Sequence, residues 1–111
     1  MPVSYETTIF YDYNKKILEK IMEEAVEQYV DSHTRVVYPV DRHNSSITVR
    51  IPRYQGAGEV LKISVVNKGF RIVSKSIVSS HKFAWGANQR EVKAMCRCIE
   101  NAFQQSSLDL A

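Results

Sequence analysis

No stretch of this chain stays apolar for the ~18–20 residues that a membrane-spanning helix needs; Lys, Arg, Asp or Glu interrupts every hydrophobic run well before that. The opening MPVSYETTIF has neither the basic nor the apolar region of a secretory signal. Cysteine is scarce: the two present, in Cys96-Arg97-Cys98, do not form a disulfide framework. These absences lead us to expect a reduced, cytoplasmic protein with no membrane contact. Proline and glycine, three and four residues, nowhere cluster into a linker, and no repeat or low-complexity tract divides the chain. One α+β domain over 1–105 is expected, with a flexible tail at 106–111.

Chemical motifs are also lacking. Gly56-Ala57-Gly58 opens no helix, so it is no phosphate loop. His33, His43 and His81 fall in separate loop segments without the i, i+4 spacing of a helical metal site. On a helix, Cys96 and Cys98 sit roughly 200° apart, too far round to share an ion; Cys96 falls in the apolar stripe and Cys98 nearer its edge. No metal, cofactor or catalytic constellation is expected, and a Cys98–His81 pair has no further support.

The charge distribution is the most informative feature present. Net charge is only +3. Residues 1–31 carry seven acids against three lysines, a balance of −4; residues 32–99 carry twelve Lys and Arg against three acids, +9; the last twelve add −2. Such asymmetry points to partners more than to fold.

Periodicity predicts the order β-α-β-β-β-β-α. Ser4–Tyr11 reads as a strand rich in Thr, Ile and aromatics. Asp12 or Asn14 then caps a helix whose stripe is Ile17, Leu18, Ile21, Met22, Ala25, Val26, Tyr29 and Val30, with Glu19, Lys20, Glu23, Glu24 and Glu27 opposite. Arg35–Val40 reads as a short strand closed by a turn at Asp41-Arg42-His43-Asn44. Ile47, Val49 and Ile51 alternate with polar residues up to Pro52, as do Leu61, Ile63 and Val65 after the Gln55–Gly58 loop. Asn67-Lys68-Gly69 has the form of a hairpin with Gly69 in the left-handed position. Phe70–Val78 returns with a slip of phase, which predicts a bulge or burial on both faces. Asn88-Gln89-Arg90-Glu91 reads as a capping box for a second helix with the stripe Val92, Met95, Cys96, Ile99, Ala102 and Phe103. Sequential antiparallel strands with segregated helices imply a two-layer sandwich, both helices on one face and the other face open.

Two candidate sites follow. If the apolar strand positions face the helices, Arg50, Lys62, Arg71 and Lys75 face away, with Arg35 a further member, and Tyr54 or Trp85 could flank them. A cationic face with aromatics suits nucleic acid or another polyanion. It equally suits an acidic protein surface, including a second copy of this chain, or serves only to keep an exposed face soluble. The second candidate is the stretch His81, Lys82, Trp85, Asn88 and Arg90, where a loop enters a helix N-terminus able to hold an anion; there Trp85 fits equally well as a hydrophobic staple. Gly86, Asn88, Arg90 and Lys93 faintly resemble, over about ten residues, the entry to the last helix of double-stranded-RNA-binding domains. Gln89 and Glu91 interrupt the basic run, Cys96-Arg97-Cys98 replaces a small pair, and an extra strand precedes the first helix. The likeness is one of architecture and carries no function. Three functions are compatible with these features: a non-enzymatic polyanion-binding domain, a protein-interaction module (adaptor, inhibitor or self-associating), and a small-ligand protein or enzyme using the His81–Asn88 loop.

Overall fold

Alternating polarity builds the strands of this domain, and the two apolar stripes build its helices. The computed structural model describes residues 4–33, 39–43, 45–52, 58–76 and 84–110, with backbone alone at 39–41, 84–85 and 107–110. The elements are β1 (Ser4–Phe10), α1 (Lys15–Ser32), β2 (Pro39–His43), β3 (Ser46–Ile51), β4 (Glu59–Val66), β5 (Gly69–Ser76) and α2 (Ala84–Leu110), in the predicted order. All five strands pair antiparallel as β1-β5-β4-β3-β2, and both helices pack on one face of the sheet, an α+β sandwich. Helix α1 therefore connects a strand at one edge to a strand at the other. Among the described residues, no helix is long and apolar enough to cross a membrane.

The core is the meeting of three stripes. Leu18, Ile21, Met22, Ala25, Val26 and Tyr29 descend from α1, and Val92, Met95, Ile99 and Ala102 from α2; Ile47, Val49, Leu61, Ile63, Phe70 and Ile72 rise from the sheet. The alternation read in β3 and β4 holds at these positions. Asn14 is the cap of α1, its Oδ1 accepting the Ile17 N–H at 3.0 Å. Strand β5 is buried on both faces at its centre, with Val73 9% exposed on the open side. Its pairing runs without a bulge, so burial alone accounts for the slip of phase.

Several boundaries differ from expectation. The residues read as a turn, Asp41–His43, belong to β2, because His43 pairs with Ser46 and only 44 and 45 remain between the strands. Arg42 lies opposite inward-facing Ile47 and reaches α1 as an ion pair with Glu23, which accounts for so polar a strand. At the β4–β5 turn Lys68, not Gly69, takes the left-handed conformation, with φ 57°. Gly69 instead serves close approach: a Cβ there would lie 2.1 Å from the Ile9 carbonyl oxygen of β1.

Helix α2 departs furthest. It begins at Ala84, so Asn88 is not its cap and Gly86 does not precede it. Asn88 and Glu91, three apart, share the sheet-facing side and are 0% and 7% exposed. An i, i+3 pair on one helix face carries the same spacing as a capping box. Ser74 Oγ lies 2.8 Å from Asn88 Oδ1 and 2.7 Å from Glu91 Oε2, and Asn88 Nδ2 donates to Ser76 Oγ at 3.3 Å. These bonds fasten the start of α2 to β5. The helix also continues to Leu110, through the segment expected to be a tail. Polar side chains hold part of it: Gln28 donates to Gln105 at 3.2 Å and Ser106 donates to Glu24 at 3.3 Å. Cys98 is the buried cysteine, 8% exposed, and Cys96 is half-buried, the reverse of the sequence reading, because the stripe centres on Asn88, Glu91, Met95, Cys98 and Ala102.

Candidate functional site

The helix-free face of the sheet gathers four of the expected cations. With Ile47, Val49, Leu61, Ile63, Phe70 and Ile72 turned inward, the two-residue period turns Arg50, Lys62, Arg71 and Lys75 outward, and all four are exposed. Register places them in rows. One row runs Ser4, Lys75, Val60, Arg50; the next Glu6, Val73, Lys62, Thr48; the third Thr8, Arg71, Ser64, Ser46. No two cations are directly opposite, an arrangement that avoids the cost of facing like charges. Lys62 is nevertheless diagonal to Arg50, Arg71 and Lys75. Diagonal neighbours lie about 7–8 Å apart, so one lysine is ringed by three further cations within reach of a single bound chain. Arg35 and Tyr54 lie outside the described residues.

Glu6 moderates this field. Its Oε2 accepts from Arg71 Nη2 at 2.6 Å across the β1–β5 pair. That hydrogen bond, and then the arginine's charge, hold the Glu6 carboxyl below its ordinary value of 4.5, while the same bond raises Arg71. Among the described residues Arg50, Lys62 and Lys75 form no ion pair, although the Lys75 charge also helps to lower Glu6, and Arg71 is the member of the four already engaged.

An aromatic that the sequence reading did not single out joins them. Phe10 ends β1 in the outward phase of Glu6 and Thr8 and is 77% exposed. The alternation of Tyr5, Thr7 and Ile9 inward with Ser4, Glu6, Thr8 and Phe10 outward was available to find it. Behind it, Tyr11 and Tyr13 stack on Phe103 with centroids 4.3 and 5.2 Å away, which secures the β1–α1 corner against α2.

Of the second candidate the structure describes the side chains of Asn88 and Arg90 alone, and they lie on different sides of α2. Asn88 is buried against Ser74 and Ser76, while Arg90, two residues on, is exposed on the outside of the helix layer. His81 and Lys82 lie outside the described residues, and of Trp85 only the backbone, in the first turn of α2, is described. Burial pushes the Cys96 and Cys98 thiols up from their ordinary values, with Glu100 adding to the effect at Cys96, so both favour the inert thiol. His33 is a helix cap, its ring stacked 4.0 Å from Tyr29 and its Nδ1 2.8 Å from the Tyr29 carbonyl oxygen. Among the described residues no three His, Cys, Asp or Glu side chains converge on a metal position. A groove of about 460 Å³ at the start of α1 is lined in part by Tyr13, Lys15, Val65 and Lys68. Lys68 there is 3.9 Å from Asp12.

The cationic sheet face is thus the most developed candidate, and it stands on geometry alone: no protein-family model matches the chain, and no curated protein matches its sequence.

Proposed function

We propose that this is a non-enzymatic binding domain that holds single-stranded nucleic acid, or a polyanion of similar charge spacing, across the open face of its sheet. The observation that carries the reading is the placement of Lys62 among Arg50, Arg71 and Lys75 on one face. Phosphates would sit over the lysine and arginine heads, and an exposed ring at the rim, Phe10, offers a base a stacking surface. The shape favours a single strand over a duplex. Five strands spaced about 4.8 Å apart span roughly 19 Å, too broad to enter a major groove about 12 Å wide. A duplex would meet this face only through its backbone.

The opposite layer is mixed in charge: helix α1 carries Glu19, Glu23, Glu24, Glu27 and Asp31 beside Lys15, Lys16 and Lys20, and α2 exposes Arg90, Lys93 and Arg97, so the cations of the sheet face are the more concentrated attraction for a polyanion. An acidic protein surface is the competing partner for the same face. Fluorescence anisotropy with labelled single-stranded DNA, single-stranded RNA and duplex DNA at low salt distinguishes these outcomes. Single strands are expected to bind in the range of about 1–100 μM at physiological salt, the usual range of sequence-independent binding, and more tightly at low salt, in each case more tightly than the duplex. No binding of any oligonucleotide at low salt would remove the reading and leave the acidic protein partner.

A further inference from the structure

The two edges of this sheet are treated differently. A free strand edge exposes unpaired N–H and C=O groups, and proteins usually blunt it with a short strand, proline, a bulge or charge. Strand β2 has these devices: five residues, Pro39, a register shift between Pro39 and Asp41, and Arg42 tied to Glu23. Strand β1, at the other edge, has none. Its seven residues, SYETTIF, contain no proline, lysine or arginine and pair with β5 in unbroken register. Its one charged residue, Glu6, is engaged by Arg71. Among the described residues, no strand covers its outer side.

The backbone phase of β1 is known. The Tyr11 N–H donates to the Lys68 carbonyl oxygen at 3.0 Å, continuing the β1–β5 register by one more pair. With a two-residue period, Tyr5, Thr7 and Ile9 also direct their backbone groups to β5. Ser4, Glu6, Thr8 and Phe10 therefore direct theirs to the free edge, eight donors and acceptors in all.

We infer that β1 is a homodimer edge, pairing antiparallel with β1 of a second copy about a two-fold axis at Thr7 to give a continuous ten-stranded sheet. The sequence is self-complementary in that register. Ser4 lies opposite Phe10 of the second copy and Glu6 opposite Thr8, so all eight free backbone groups are satisfied. Thr7 meets Thr7 and Tyr5 meets Ile9 at the non-hydrogen-bonded positions, Thr–Thr and aromatic–β-branched pairs of the kind that stabilise sheets. Glu6 faces no like charge directly. Half-buried Tyr5 and Ile9 become covered. The axis stands perpendicular to the sheet, so the two open faces lie on the same side and their cations form one surface. The pairing itself stands on the edge geometry and does not depend on what that surface binds.

The test is sedimentation velocity in high salt over a range of protein concentrations. The 111-residue chain is expected to shift with concentration from 12.7 kDa to twice that mass. Thr8→Pro removes an edge donor without touching the β1–β5 bonds, and Thr8→Glu sets a carboxylate opposite Glu6 of the second copy. Both are expected to be monomers with unchanged far-ultraviolet circular dichroism. Thr7→Cys adds a positive arm: its α-carbons would be about 4.5 Å apart, within the disulfide range of about 4.4–6.8 Å. Mild oxidation should cross-link it, whereas Tyr5→Cys, about 13 Å from its own copy by strand rise, and the unmodified chain should stay single. A protein monomeric at every concentration overturns the inference. So does a dimer that survives Thr8→Glu and leaves Thr7→Cys uncross-linked.

Discussion

Lys62 is the residue on which the proposed interface turns, and replacing it with Gln gives a quantitative test. The side chain is exposed, opposite Val73 and Thr48, and diagonal to Arg50, Arg71 and Lys75. Loss of its charge should leave stability within about 0.5 kcal/mol, as for other exposed positions. With Arg71 held by Glu6, three cations remain to displace counterions. For a single strand the slope of log affinity against log salt is about −0.7 per phosphate neutralised. Three contacts give a slope near −2.1, a loss of about 18-fold between 50 and 200 mM salt. Lys62→Gln leaves two contacts, a slope near −1.4 and a loss of about 7-fold over the same range. Relative to the unmodified protein, the variant should bind about 8-fold more weakly at 50 mM salt but only about 3-fold more weakly at 200 mM. Anisotropy titrations at four or more salt concentrations measure both slopes. Lys93→Gln is the control, exposed on α2 in the opposite layer, and should leave the slope unchanged. A Lys62→Gln slope equal to that of the unmodified protein, or a Lys93→Gln slope just as reduced, would refute the reasoning.

Glu6→Gln releases Arg71 and should raise the slope to about −2.8, a loss of about 50-fold across the same salt range, with tighter binding at neutral pH. Because the folded Glu6 carboxyl is held below 4.5, its ion pair contributes stability above that pH and loses it as pH falls through the lowered value. Melts at stepped pH should show a loss on acidification that is smaller in Glu6→Gln. Gly69→Ala forces a Cβ against the Ile9 carbonyl and should cost about 1–3 kcal/mol in urea unfolding, the usual range for overpacking; an unchanged midpoint would mean that β1 does not approach β5 so closely. Ser74→Ala strips a hydroxyl from the buried Asn88 and Glu91 oxygens and should lower stability by about 1–3 kcal/mol, with the denaturant slope unchanged.

The local period carried much of the fold. Alternation at Ile47–Ile51 and Leu61–Val65, the α1 stripe and the Asn14 cap are short-range signals, and tertiary packing reinforces each of them. What the sequence did not show depends on neighbours distant in the chain. Asp41–His43 is polar enough to read as a turn, but it gains strand bonds from β3 and an ion pair from Glu23. Asn88 and Glu91 look like a helix end only until Ser74 and Ser76 are known to lie beneath them. Gln105 and Ser106 break the apolar period yet dock on Gln28 and Glu24, 77 and 82 positions away. For the candidate site, alternation set the outward phase of the cations, but their staggering around Lys62 required strand register. The Glu6–Arg71 pair, 65 residues apart, required β1 to lie beside β5. Nothing in a local window contains that adjacency.

The central claim, that the open face of the sheet is the binding surface, is tested most directly by an amide-resolved NMR titration of the 111-residue chain with a single-stranded oligonucleotide at low salt. Shifts concentrated at Phe10, Arg50, Lys62, Arg71 and Lys75, with Glu23, Glu27 and Lys93 unmoved, are the expected result. Shifts confined to the helices, or none at a saturating ratio, would contradict it.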